Sequence, residues 1–109
     1  MDIITLPDFQ KLDLRVGTVV SVEKVPDADK LLKLTFDLGD HQRQIIAGMA
    51  PFFPDPSILV GQQMPILTNL ESKTFRGLES QGMIIAADPD GHPVLLHPAS
   101  LVPPGTVVR

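Results

Sequence analysis

Residues 14–23, Leu14-Arg15-Val16-Gly17-Thr18-Val19-Val20-Ser21-Val22-Glu23, decide how the rest of the chain is read. Leu14, Val16, Thr18, Val20 and Val22 fall on one face, and Arg15, Gly17, Val19, Ser21 and Glu23 on the other. That period of two, rich in β-branched residues, predicts a long first strand. Gly17 inside it predicts a bulge or sharp bend, which a strand shared across a closed barrel requires. Val25-Pro26-Asp27-Ala28-Asp29 then breaks the pattern as a loop.

Working outward, Lys30 to Leu38 alternates again, with Leu32, Leu34, Phe36 and Leu38 on one face and Leu31, Lys33, Thr35 and Asp37 on the other. Gly39-Asp40 turns the chain, and Arg43 to Ala47 returns as the other arm of a hairpin. Pro54 to Gly61 carries Asp55 at an N-cap position, Pro56 at the first helical position and Gly61 at the stop, which predicts one or two helical turns. Gln62 to Asn69 and Met83 to Ala87 read as a fourth and a fifth strand. Before the barrel, Asp8 is placed to cap a short turn, with Phe9 and Leu12 turned inward. Strand–strand–strand–short helix–strand–strand is the order of an all-β OB-fold, a five-stranded Greek-key barrel. The barrel is expected over about 13–87 of a single domain, 1–109, with 88–109 as a C-terminal extension. Its apolar Val94-Leu95-Leu96 and Val107-Val108 suit a dimerisation surface or a cap on the barrel end.

The 109 residues are 43% hydrophobic and 20% charged, a globular composition long enough to bury a core without a staple. Eleven prolines spread along the chain argue against long helices. With no cysteine there is no disulfide, no thiol catalysis and no thiolate metal site. No apolar run approaches the ~20 residues of a membrane span and no signal peptide is recognisable, so the expected compartment is the cytoplasm. Nine basic against thirteen acidic residues give a net charge of −4, which excludes a uniformly basic nucleic-acid protein but not a local basic face.

Enzyme signatures are missing. His41, His92 and His97 have no metal-ligand spacing, and Asp88-x-Asp90-Gly91 places its glycine too early for a calcium loop. There is no phosphate-binding glycine loop and no nucleophile elbow. No catalytic residue, metal or cofactor is expected. What remains is the segment from Asn69 to Met83, read as a loop between the fourth and fifth strands, which in OB-folds edges the ligand face. Phe75 lies there between Lys73 and Arg76, a pairing of ring and cations that suits single-stranded nucleic acid. The other reading folds Phe75 onto the barrel end and leaves both cations solvated. Lys33 faces outward if Leu32, Leu34 and Phe36 fill the barrel, and Arg43 is expected beside it. Lys30, Lys33, Arg43, Lys73 and Arg76 would together line one basic groove, with Asp27, Asp29, Glu71 and Glu79 next to it.

Four motifs in order also resemble a known family. They are Asp8-Phe9-x-Lys11-Leu12-Asp13-Leu14-Arg15-Val16-Gly17, Ala28-Asp29-Lys30-Leu31-Leu32-Lys33-Leu34-x-x-Asp37-Leu38-Gly39, Ile46-Ala47-Gly48, and Asn69-Leu70 with Ser80-x-Gly82-Met83-x-x-Ala86-Ala87. They resemble the tRNA-binding domain family, above all the C-terminal domain of bacterial methionyl-tRNA synthetase and the stand-alone bacterial tRNA-binding proteins. The resemblance implies a non-catalytic module that binds tRNA by shape and backbone as an auxiliary to methionyl-tRNA aminoacylation. It implies a homodimer, and a synthetase catalytic chain as a possible partner. Carried onto matching positions, the site would comprise Lys30, Lys33, Arg43, Asn69, Lys73, Arg76, Ser80 and Met83. Ser72 and Thr74 depart from the family pattern, which has a proline and a second basic residue there, and Phe75 replaces an aliphatic residue. Two other readings stay open: a peptide-binding, chaperone-like OB dimer, and a pure dimerisation module of a synthetase. Whether the chain is free-standing or an excised synthetase domain also stays open.

Overall fold

The computed structural model describes residues 1–109. Three antiparallel strands, β1 (Leu14–Lys24), β2 (Leu32–Asp37) and β3 (Gln42–Ala47), form a meander, and β4 (Gln63–Leu67) returns on the far edge of β1. The two ends of β1 serve different partners. Leu14–Thr18 pairs with β4, while Thr18–Lys24 pairs with β2, so the long strand is shared around a barrel as its length predicts. Short strands follow: β5 (Lys73–Phe75), β6 (Leu78–Ser80), β7 (Met83–Ile84), β8 (Ala86–Ala87), β9 (Val94–Leu95) and β10 (Val107–Val108). The main sheet runs β3-β2-β1-β4-β7, with β10 added to β1.

The inward face of β2 is the predicted one. Leu32, Leu34 and Phe36 are fully buried, together with Val19, Ile45, Leu59, Met64 and Ile66. Burial on that scale supplies about 1.5–3 kcal/mol per large side chain. Alternation along β1 breaks where the register shifts, between Val19 and Ser21. Val20, grouped by periodicity with Val16 and Val22, is therefore 45% exposed, whereas Val19 is 1% exposed. The expected irregularity lies at Val20, not at Gly17. Gly17 answers a packing demand instead, because a Cβ there would sit 2.9 Å from Cδ1 of Phe36 and 3.2 Å from Cγ1 of Ile66.

The short helical turn expected over 54–61 is present as a 3-10 turn, Pro56–Leu59, and a further 3-10 turn, Ala50–Phe52, precedes it. Asp55 caps the Pro56–Leu59 turn as expected, its carboxylate accepting from Ser57 N, and Leu59 closes that side of the core. At the N-terminus, Thr5 and not Asp8 is the N-cap of a one-turn helix, α1 (Leu6–Phe9); Asp8 is the reciprocal partner of a capping box. Leu12, expected to pack inward, is exposed.

Met83–Ala87, read as one strand, is broken at Ile85 into β7, which pairs with β4, and β8, which pairs with β9. The barrel closes between β3 and the residues leading out of β6, chiefly through side chains. Gln81 N donates to Gln44 O (2.8 Å), Gln44 N to Gln81 Oε1 (3.0 Å), and Ile46 N to Ser80 Oγ (3.0 Å). The extension is bound to the barrel too. Gly105 N donates to Val16 O, Val16 N to Thr106 O, and the Gln63 side chain both accepts from Val102 N and donates to Val102 O.

Candidate nucleic-acid interface

The stretch expected to be a loop is a β-hairpin. Lys73 pairs with Ser80, Thr74 with Glu79 and Phe75 with Leu78, and Arg76-Gly77 makes the tip with both residues at positive φ, +50° and +77°. That is the type I′ geometry whose twist suits a two-residue hairpin loop. Cross-strand partners share a face, so Lys73, Phe75, Leu78 and Ser80 look one way and Thr74 and Glu79 the other.

The first face overhangs a groove of about 370 Å³ whose opposite wall is the end of β3, Ile46 to Met49. Phe75, Met83 and Leu70 are among its apolar lining residues, and Lys73 and Glu71 supply its charges. Phe75 is half-buried and Met83 is 44% exposed. Of the other lysines, Lys33, on the outer face of β2, pairs across the strands with Ile46, and the backbone of Lys30 passes near Gly48, its carbonyl accepting from Ala50 N. Lys33 is ion-paired with Glu23 at 3.7 Å, while Lys30, Lys73 and Arg76 are exposed. Lys73, Phe75, Ser80 and Met83 thus line one groove, with Arg76 at the hairpin tip and Lys30 and Lys33 outside the lining.

Three other predicted residues have hydrogen-bond partners within the chain. Arg43 is not beside Lys33. The register sets it opposite Phe36, on the inner side of the sheet, where Nη1 donates to Thr68 O (2.8 Å) and Gln81 O (3.2 Å). Ser80 lines the groove but is 5% exposed, its hydroxyl accepting from Ile46 N and donating to Gly82 O. Asn69 ties the N-terminal segment to the end of β4, its Oδ1 accepting from Asp13 N and its Nδ2 donating to Lys11 O. Beside it, the Thr68 hydroxyl donates to the Asp13 carboxylate and Arg15 pairs with that carboxylate at 2.9 Å. The Thr68 hydrogen bond first, and the arginine charge after it, hold the Asp13 carboxyl below its ordinary range.

Sequence reasoning did not foresee Met49 or Pro93 in the groove wall, and it counted Glu71 only as a neighbouring acid. Pro93 comes from the extension, and nothing in its local sequence distinguishes it.

Residues 14–107 match a family model described as a putative tRNA binding domain. The chain belongs to that family. It is 50% identical over 105 residues, 96% of its length, to a methionine–tRNA ligase of Archaeoglobus fulgidus. The match covers only 16% of that relative, so the chain spans about a sixth of the length of the curated ligases it resembles. Among solved structures it is similar to a MetRS-related protein from Pyrococcus horikoshii, with TM-score 0.93, 36% identity and 100% of both chains covered. It is also similar to the chaperone CsaA of Bacillus anthracis, with TM-score 0.88 and 31% identity over 99% of this chain and 100% of that one. The family's barrel agrees with the OB-fold expected from the strand order.

Proposed function

We propose that this chain is a non-catalytic tRNA-binding module that holds tRNA mainly by its backbone. The observation that carries the reading is the hairpin register, which sets Lys73 and Phe75 on the groove face of a chain in the tRNA-binding domain family. Lys30, Lys33, Lys73 and Arg76 are the phosphate contacts, and Phe75 and Met83 shape the groove. Arg43, Asn69 and Ser80 tie the fold together around the site, Asn69 from an exposed position, since their polar atoms already have partners in the chain. The site is less basic than five cations would make it. Glu23 compensates Lys33, and Glu71 shares the groove with Lys73. Binding is accordingly modest and steeply salt-dependent. The likeness to methionine–tRNA ligases supports a role auxiliary to methionyl-tRNA aminoacylation.

Pairing of two copies fits the same reading. Leu6, Phe9, Leu12, Val107 and Val108 line an apolar recess at the foot of β1, with Ile3 and Ile4 exposed near it in sequence. Exposed apolar surface of this kind marks an interaction site. The test titrates labelled total tRNA at two salt concentrations. Four phosphate contacts predict that log affinity falls by about 3 per log unit of salt, and Lys73→Ala with Arg76→Ala flattens the slope by roughly 1.5. Unchanged affinity and slope in the double variant would remove the hairpin from the site. A second reading, a peptide-binding module, draws on the likeness to the CsaA chaperone. It predicts that an apolar peptide, not tRNA, saturates the groove.

A further inference from the structure

We infer that the groove beneath the hairpin captures one unpaired nucleobase, and that Glu71 selects bases carrying an exocyclic amino group. The inference rests on the tRNA reading and adds to it a base-specific pocket. A phosphate-binding surface alone needs exposed cations and no cavity. Here a cation lines one. Phe75 and Lys73 share the hairpin face that borders it, and Lys33 is the cross-strand neighbour of a lining residue, Ile46, with its ammonium paired to Glu23. The space of about 370 Å³ lies in the range of pockets that hold compact organic ligands, and its sides are apolar, as a flat base requires. A half-buried phenylalanine on that hairpin face is a stacking surface. Lys73 beside the ring can then hold a phosphate of the stacked nucleotide.

Glu71 gives the pocket its chemistry. It is the one carboxylate lining the groove, and it has no ion-pair or hydrogen-bond partner in the chain. A carboxylate near phosphates is unfavourable unless it meets a donor. Cytosine and adenine offer an amino group and guanine offers two adjacent N–H donors, and a glutamate accepting from a base amino group is a known mode of base discrimination. Uracil flanks its single N–H with two carbonyl oxygens, which a carboxylate repels.

The experiment uses the whole chain and fluorescein-labelled hexanucleotide RNAs of A, C or U, read by anisotropy. A second set carries 2-aminopurine in place of one adenine; with no tryptophan or tyrosine in the chain, the protein adds almost no emission. The A and C hexamers should bind about tenfold more tightly than U, and Glu71→Ala should erase that difference. Binding should quench the 2-aminopurine. Phe75→Leu, which retains an apolar side chain and keeps the fold, should weaken all three hexamers about tenfold and remove the quench. Equal affinity for the three hexamers, or a quench that survives Phe75→Leu, overturns the inference. So does tRNA binding without any hexamer binding, which leaves the tRNA reading standing. Loss of both tRNA and hexamer binding removes both readings, and hexamer failure with saturable binding of an apolar peptide assigns the groove to peptide.

Discussion

Ser80→Ala separates two roles that one residue has been expected to fill. The resemblance to the tRNA-binding family places Ser80 among the RNA contacts, whereas its hydroxyl here accepts from Ile46 N at 3.0 Å and donates to Gly82 O at 3.3 Å. The first bond closes the barrel where β3 and β6 lack a continuous ladder. Alanine removes the acceptor and leaves a buried amide N–H without a partner, because Ile46 is 6% exposed. An orphaned buried amide costs about 1–3 kcal/mol. In a domain of this size that lowers the melting temperature by about 5–15 °C.

The assay pairs a calorimetric or circular-dichroism melt with tRNA binding well below the transition, where the variant is still folded. The chain's lack of tryptophan and tyrosine makes intrinsic fluorescence a poor probe. The expected result is a lowered melting temperature, faster hydrogen exchange at the Ile46 amide, and tRNA affinity within twofold of the parent. An unchanged melting temperature together with a tenfold loss of tRNA affinity would refute the structural role and return Ser80 to the RNA contacts.

Gln63→Leu should free the C-terminal extension. The buried Gln63 amide makes the two hydrogen bonds that fix Val102 and a third to Thr18 Oγ1, so its loss costs about 1–3 kcal/mol and opens residues near the exposed Leu101 to chymotrypsin; a digestion pattern identical to the parent's would contradict this. Asp13 sets the acid limit of the N-terminal segment. Its pKa is lowered in the folded state, so its contribution is present above the usual carboxylate value of 3.8 and is lost as pH falls through the lower folded value. The side chain is 41% exposed, so the effect is below about 1 kcal/mol, and Asp13→Asn should flatten the acid limb of melting temperature against pH. Superimposable acid limbs would rule it out.

Elements with a strict period were legible from the sequence. In β2 every second residue from Leu32 to Phe36 is fully buried, and Asp55-Pro56 starts a turn where capping chemistry places it. The register shift in β1 was misplaced because a glycine in a strand signals either irregular backbone or close packing, and only the Phe36 ring across from Gly17 decides between them. The face of Arg43 was hidden for a related reason. Its face depends on how β3 pairs with β2, and its charge finds partners in carbonyls at positions 68 and 81 that the sequence does not bring near. The hairpin over 73–80 was hidden because its tip is Arg76-Gly77, without the Asn-Gly or Asp-Gly that advertises a type I′ turn. The cations and the ring in it were nevertheless found, since residue type alone carried that signal.

The closure seam and the groove are consequences of one another. β6 faces β3 without pairing to it in a ladder, and it reaches across with Ser80 and Gln81 side chains and with the carbonyl of Glu79, which accepts from Gln44 Nε2. Side-chain bridging of this kind spaces the hairpin away from the end of β3 and leaves a cavity lined by Ile46, Ala47 and Gly48. A continuous β3–β6 ladder would draw strands to the usual ~4.8 Å separation and fill that space. The same three residues that close the barrel therefore hold Lys73 and Phe75 at a fixed height over the groove. It follows that damage at the seam should act on stability first, leaving every group that touches the ligand in place and the affinity of the folded state close to the parent's.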